Sequence, residues 1–328
     1  MRVLVTGGAG YIGSHAVRAL EARGHETVVF DDLSQGNRRA VPPGRLIVGS
    51  LLDAASLAAA LQARPVDAVM HFAAHWDVGE SVREPRKYFR ENLGGAIILF
   101  EEMLDRRIRY AVFSSTAAVY GEPVSTPMQE DHPTAPVNPY GETKLTIETM
   151  LRAYDSAYGL RSACLRYFNA AGADPAGGIG EKHDPETHLI PLILDAAFDG
   201  SCGVTVFGDD YPTPDGTCIR DYVHVADLAR AHVLALERMV RLDRSDVFNL
   251  GTGAGHSVTE VLQAARHVTG RKIPVRVGPR RPGDPAALVA GAGLARRDLE
   301  WEPAHSSIEE IVRTAWEWRK VRDTVFTD

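Results

Sequence analysis

The sequence is poor in cysteine: only Cys164, Cys202 and Cys218 occur among its 328 residues. Their spacing matches neither a metal-binding knuckle nor a disulfide framework. Long apolar runs are missing too, since nothing approaches the roughly 18 residues of a membrane helix. The opening stretch, MRVLVTGGAGYIG, is apolar but broken by glycine and lacks a small-residue cleavage site, so no secretory signal is expected. There is no long basic block, and the net charge is −7. Nucleic acid and anionic membrane are therefore not expected partners. Internal repeats and low-complexity tracts are absent as well. What remains is a soluble, cytoplasmic globular protein, and 45% hydrophobic residues suffice for one large core or two smaller ones.

Short β-branched runs alternate with helical patterns through the first half. VLV (3–5), ETVVFD (26–31), RLIVG (45–49), DAVMHFAA (67–74), RYAVFSS (109–115) and RSACLRYFN (161–169) read as strands buried on both faces of a parallel sheet. Helices are expected over 11–23, ended by Gly24, over 53–63, capped by Asp53, over 86–107, and from Pro139 onward. This alternation predicts an α/β fold with a doubly wound parallel sheet. After Asn169 the rhythm changes. The Gly- and Pro-rich stretch 170–188 reads as a long loop, of a length more often found in functional lids. VFNLGTG (247–253) reads as a further strand of the first sheet, and 307–320 as a packing helix with Ile308, Ile311, Val312, Ala315 and Trp316 on one face. The expected division is a Rossmann-type α/β domain, 1–170, to which 221–255 returns, and a smaller mixed lobe, 171–328.

GGAGYIG follows the first strand and opens the first helix, placing Gly7, Gly10 and Gly13 at three-residue intervals. Glycine permits a tight turn, close approach of backbone to a pyrophosphate, and close helix–strand packing. The helix N-terminus then presents unpaired N–H groups to phosphate. At the next strand's end stand Asp31 and Asp32. A carboxylate there accepts from a ribose 2′-hydroxyl and repels a 2′-phosphate, which predicts NAD over NADP; a turn-capping role for Asp31 is the alternative.

SSTAAVYG (114–121) puts Thr116 at the carboxyl edge of the fifth strand, where open α/β sheets bind ligands. NPYGETK (138–144) puts Tyr140 and Lys144 four apart, hence on one helical face. A free phenol, with a pKa of about 10, is a poor base at neutral pH. A nearby ammonium and a positive nicotinamide favour phenolate, and a drop of about three units corresponds to roughly 4 kcal/mol. Tyr140 would then take a hydroxyl proton while Thr116 holds the substrate oxygen.

These stretches resemble the extended short-chain dehydrogenases/reductases and, within them, the UDP-glucose (UDP-galactose) 4-epimerases. VGESV (78–82), AVYGEP (118–123), LRYFNAAGA (165–173), VFGDDYPTPDGTCIRDYVHV (206–225), NLGTG and RRPGD (280–284) follow in that family's order nearly end to end. The resemblance implies interconversion of UDP-glucose and UDP-galactose in galactose metabolism, through a transient 4-keto sugar and reversible hydride transfer to tightly held NAD. It implies cofactor contacts from Gly7, Gly10, Tyr11, Ile12, Gly13, Asp31, Asp32, Ser50, Leu51, Phe72, Ala73, Ala74, Asn92, Ser114, Tyr140, Lys144 and Tyr167. Sugar-nucleotide contacts would come from Thr116, Tyr140, Asn169, His188, Leu189, Val206, Phe207, Arg220, Tyr222, Arg281 and Asp284. Within that set the two arginines clamp phosphate and Asp284 meets the uridine ribose. A homodimer through helices near 86–105 and 139–157 is implied as well.

Several positions depart from the family pattern. Ser50 replaces an aspartate that meets adenine. Trp76 replaces a lysine near the pyrophosphate, which suggests altered cofactor contacts or a ring that closes the cavity. Leu288 stands at the size gate for the sugar 2-substituent, often tyrosine, so N-acetylhexosamine or pentose nucleotides are alternative substrates. His75 reads as packing or a polar rim. His183 and His188 show no carboxylate spacing of a known metal geometry, so no metal is expected. Ala117 and Ala118 after Thr116 argue against a 4,6-dehydratase, which needs acidic residues there. The presence of both Tyr140 and Lys144 argues against a non-catalytic NAD-responsive binding protein.

Overall fold

A computed structural model describes residues 1–200, 203–281 and 283–326, so Cys202 lies outside the described residues. The chain begins with β1 (Arg2–Thr6), α1 (Tyr11–Ala22), β2 (Glu26–Asp31), β3 (Leu46–Val48), α2 (Ala54–Ala63) and β4 (Ala68–His71). It continues with α3 (Val78–Arg83), α4 (Pro85–Tyr88), α5 (Gly94–Asp105), β5 (Tyr110–Thr116), α6 (Pro139–Tyr158) and β6 (Arg161–Tyr167). Then come β7 (Asn169–Ala171), α7 (Leu189–Asp199), β8 (Val204–Phe207), β9 (Ile219–Arg220), β10 (Tyr222–His224) and α8 (Val225–Leu242). Last are β11 (Asp246–Leu250), β12 (His256–Ser257), α9 (Val258–Thr269), β13 (Val275–Gly278), β14 (Ala287–Leu288), α10 (Gly293–Leu299) and α11 (Ile308–Val325).

Seven strands form one parallel sheet in the order β3–β2–β1–β4–β5–β6–β11. Chain direction across the sheet reverses between β1 and β4, and such a switch point opens a crevice at the strands' carboxyl ends. Successive side chains on a strand face opposite sides. Val3, Val5 and Val29 accordingly pack with Leu20 of α1 and Leu236 of α8. Leu4, Val28 and Phe30 pack on the other side with Leu57 of α2, Leu99 of α5 and Ile147 of α6. Each such side chain contributes roughly 1.5–3 kcal/mol on burial. A second core joins α7, β8, α9 and α11, where Ile308, Ile311, Val312 and Trp316 are buried.

Several local expectations are corrected. β3 is the sheet's edge, and Val48 is 48% exposed rather than buried on both faces. β4 stops at His71, because the amides of Phe72 and Ala73 both turn to donate to the Thr6 carbonyl. The expected helix over 86–107 is interrupted by a π-helical turn, Phe89–Leu93. The stretch after Asn169 opens with a strand, β7, paired with β10, before becoming irregular. The last helix runs on to Val325. No helix among the described residues is long and apolar enough to cross a membrane.

Candidate active site

The turn after β1 is built by steric necessity. Gly7 has φ +71°, and a Cβ there would lie 2.5 Å from the Ala73 nitrogen. At Gly13 a Cβ would meet the Gly7 carbonyl oxygen at 2.2 Å. The helix can start this close to the strand only without side chains. Gly10 is the N-cap of α1, no side chain caps the helix, and its first turn holds no acid. The amide end is thus left open to an anion.

Above this turn lies a cavity of about 380 Å³. Every residue expected to touch cofactor, from Gly7 to Tyr167, lines it. Asp31 Oδ2 accepts from the Ala9 amide at 2.9 Å and Oδ1 from Leu33 at 2.8 Å. The carboxylate therefore holds the turn, the alternative role expected of it, and also faces the cavity. Burial pushes its pKa up, against the pull of those two amides. Ser50 Oγ accepts from the Leu52 amide at 3.2 Å. Asn92 clamps the His75 backbone, accepting from its amide at 2.7 Å and donating to its carbonyl at 3.0 Å. His75 itself faces Glu91 across the rim, at 2.5 Å.

Thr116, Tyr140, Lys144 and Asn169 line the same cavity. Asn138 caps α6 by accepting from the Gly141 amide at 2.9 Å, and Pro139 at the first turn starts the helix. That start fixes where Tyr140 and Lys144 emerge. Lys144 is buried, donates to the Ser114 carbonyl at 2.8 Å, and stands 5.8 Å from the Tyr140 ring centre. Thr116 Oγ1 accepts from the Ala118 amide at 3.1 Å, leaving its own proton to donate. The expected acidification of Tyr140 is absent here. Burial pushes the phenol up to about 12, against the downward pull of the Thr116 hydroxyl. Burial likewise brings Lys144 down to about 7, with the Glu148 charge opposing. Both groups favour their neutral forms.

Apart from His188, the other expected sugar-nucleotide residues stand apart from this cavity. Leu189, Val206 and Tyr222 pack in the second core. The Arg281 guanidinium lies 4.2 Å from the Phe207 ring centre. Arg220 pairs with Asp284, not with its neighbour Asp221. Asp221 is fully buried and accepts instead from Thr252, Gly253 and Ala290. Asn169 connects the two groups, because it lines the cavity and is the register partner of Tyr222.

His188 lines the cavity's other wall with Trp76 stacked on it, ring centres 4.6 Å apart. Glu181 and Glu186 contact both His183 and His188. The two carboxylates that seemed to be missing beside these histidines are therefore present. The sequence signal for them is a doubled Glu-x-His, 181–183 and 186–188. Ser34, Gln35, Gly36 and Asn37 also line the cavity without having been singled out; polar loop residues carry no distinctive spacing.

A model of the NAD dependent epimerase/dehydratase family matches residues 3–251. The chain belongs to that family. The UDP-glucose 4-epimerase of Halalkalibacterium halodurans is 51% identical over 320 residues, covering 98% of this chain and 96% of the relative. That of Lactobacillus helveticus is 50% identical over 329 residues, spanning all of both chains. The crystal structure of UDP-glucose 4-epimerase from Brucella ovis in complex with NAD is similar with TM-score 0.94 and 49% identity, covering 96% of this chain and 97% of that one. The glycine turn, the uncapped helix start and the carboxylate of Asp31 suit the NAD of this epimerase/dehydratase family.

Proposed function

We propose that this chain interconverts UDP-glucose and UDP-galactose by epimerisation at sugar C4, with NAD as a retained cofactor. One observation carries the reading. Thr116, Tyr140 and Lys144 converge in the cavity that begins at the glycine turn, in a chain about half identical along its length to UDP-glucose 4-epimerases. NAD, when bound, supplies a reversible hydride acceptor and a positive nicotinamide that favours the Tyr140 phenolate. Tyr140 takes the proton of the C4 hydroxyl and later returns it. Thr116 donates to the same oxygen, fixing C4 within reach. Lys144, anchored on Ser114, places its ammonium on the Tyr140 side of the cavity when protonated. Arg220 and Arg281 are suited to the diphosphate, because a guanidinium binds phosphate bidentately. In this structure they rest on Asp284 and Phe207.

Purified protein incubated with UDP-galactose, with no NAD added, is expected to yield UDP-glucose on chromatography. Failure to convert even after NAD is supplied would remove the reading. Leu288 favours a second substrate class. It sits on β14 opposite Arg220, packs beside Val119, Tyr120 and Met128, and brings no aromatic ring to the size gate. UDP-N-acetylglucosamine is therefore expected to be turned over as well; a pocket closed to it would show no product. The apolar side chains of Val82, Phe89 and Tyr158, exposed on or beside α3 to α6, support a homodimer through these helices. Light scattering is expected to give twice the chain mass at micromolar concentration, and a monomer there would exclude the dimer.

A further inference from the structure

We propose that Glu181, His183, Glu186 and His188 form a four-coordinate site for a zinc-class divalent cation on the wall of the cofactor cavity. Each offers one ligand atom, and the four atoms all lie within 4.8 Å of one another. His188 Nδ1 is 2.8 Å from Glu181 Oε1 and 3.1 Å from Glu186 Oε1. His183 Nδ1 is 3.2 Å from Glu181 Oε1 and 3.6 Å from Glu186 Oε2. A tetrahedral ion with bonds of about 2.0–2.2 Å requires ligand–ligand edges of roughly 3.3–3.6 Å. The observed spacings run from 2.8 to 3.6 Å and reach that range at their upper end.

A second observation points the same way. The Glu186 side chain is 9% exposed and that of His183 10%. Even so, Glu186 Oε2 and His183 Nδ1 have no hydrogen-bond partner, although they face one another. Buried polar atoms left unpaired are costly, and a shared ion satisfies both at once. Charge agrees as well. Two carboxylates with two neutral imidazoles neutralise a dication, and among the described residues no lysine or arginine pairs with either glutamate. Lys182, between them in sequence, turns away to Asp323. Imidazole together with carboxylate suits zinc-class ions better than magnesium or calcium, which prefer all-oxygen shells.

The site lies where a cation would hold the irregular 170–188 stretch in place. Trp76 covers both imidazoles, at 4.3 Å from His183 and 4.6 Å from His188, and Tyr11 of the glycine turn meets His183 edge-on at 6.4 Å. An ion here would fix one wall of the cofactor cavity without touching Tyr140.

The experiment treats the purified protein, with whatever cofactor it retains, with a chelator and then titrates it with Co²⁺ and Zn²⁺. One equivalent of Co²⁺ per chain should give the intense visible absorption of a tetrahedral site, and Zn²⁺ should displace it. His188→Ala and Glu186→Gln should each weaken binding by about 100-fold or more. Glu186→Gln keeps the side chain's volume and controls for collapse of the loop, monitored by circular dichroism. If both variants fail to fold, the wild-type spectrum decides: tetrahedral bands support the site. No stoichiometric uptake, the weak spectrum of hydrated Co²⁺, or undiminished binding by both folded variants would overturn it.

Discussion

His232 is fully buried in α8, with Nδ1 2.8 Å from the Leu228 carbonyl. Because a carbonyl only accepts, Nδ1–H donates, and Nε2 is left facing the core with no partner. His15 repeats the arrangement on α1, with Nδ1 2.8 Å from the Tyr11 carbonyl and Nε2 unpartnered. Burial brings both pKa values down to about 4, against the raising effect of the carbonyls. An unfolded histidine titrates near 6.5, so between pH 6.5 and 4 the unfolded chain binds more protons. Stability is therefore complete above pH 6.5 and is lost as pH falls through this window, by about 3 kcal/mol for each group. Calorimetry from pH 7.5 to 4 should show the thermal midpoint of His232→Leu falling less steeply than that of the wild type. Parallel curves would refute the assignment. The residue scale was the least legible from sequence, since histidines 15 and 232 carry no motif. The inverted direction of Tyr140 and Lys144 was also hidden, because their burial exists only once the fold places them.

At the scale of elements, α6 matters most, since it carries Tyr140 and Lys144. It is fastened to the sheet by a buried ion pair. Arg166 of β6 donates from Nε to Glu148 Oε1 at 3.0 Å and from Nη2 to Oε2 at 2.5 Å, while Ser115 of β5 donates to the same carboxylate. Their side chains are only 8% and 5% exposed. Removing the cation alone strands a buried carboxylate, so Arg166→Met should lose about 3–5 kcal/mol in denaturant melts. The double change Arg166→Met with Glu148→Met should recover most of that loss. A double variant as unstable as the single one would mean that the pair is not what fastens the helix. Helix starts were legible because their signals are local: Asp53 caps α2 and Pro139 opens α6 as expected. The π-helical turn at Phe89–Leu93 was not. It serves a distant contact, since Asn92 within it holds His75, and π turns of this kind often mark functional sites.

On the scale of the whole molecule, two parallel sheet pairings join segments far apart in sequence. β11 adds to the sheet beside β6 after an excursion of about 80 residues, and β7 meets β10. The doubly wound sheet itself followed from alternating apolar runs and helices, a pattern that local chemistry writes directly into sequence. The position of 170–188 against Trp76 did not, because irregular backbone has no period to read. Nor did the separation of the arginine cluster from the cofactor cavity, which motif order cannot express. The chemistry nevertheless turns on one proton and one tyrosine. Turnover of UDP-galactose by Tyr140→Phe should be followed by chromatography, with bound NAD measured after denaturation. NAD content is expected to equal wild type and turnover to fall by about a thousandfold, within the range lost with a positioned acid–base group. Turnover within tenfold of wild type, with NAD still bound, would contradict it.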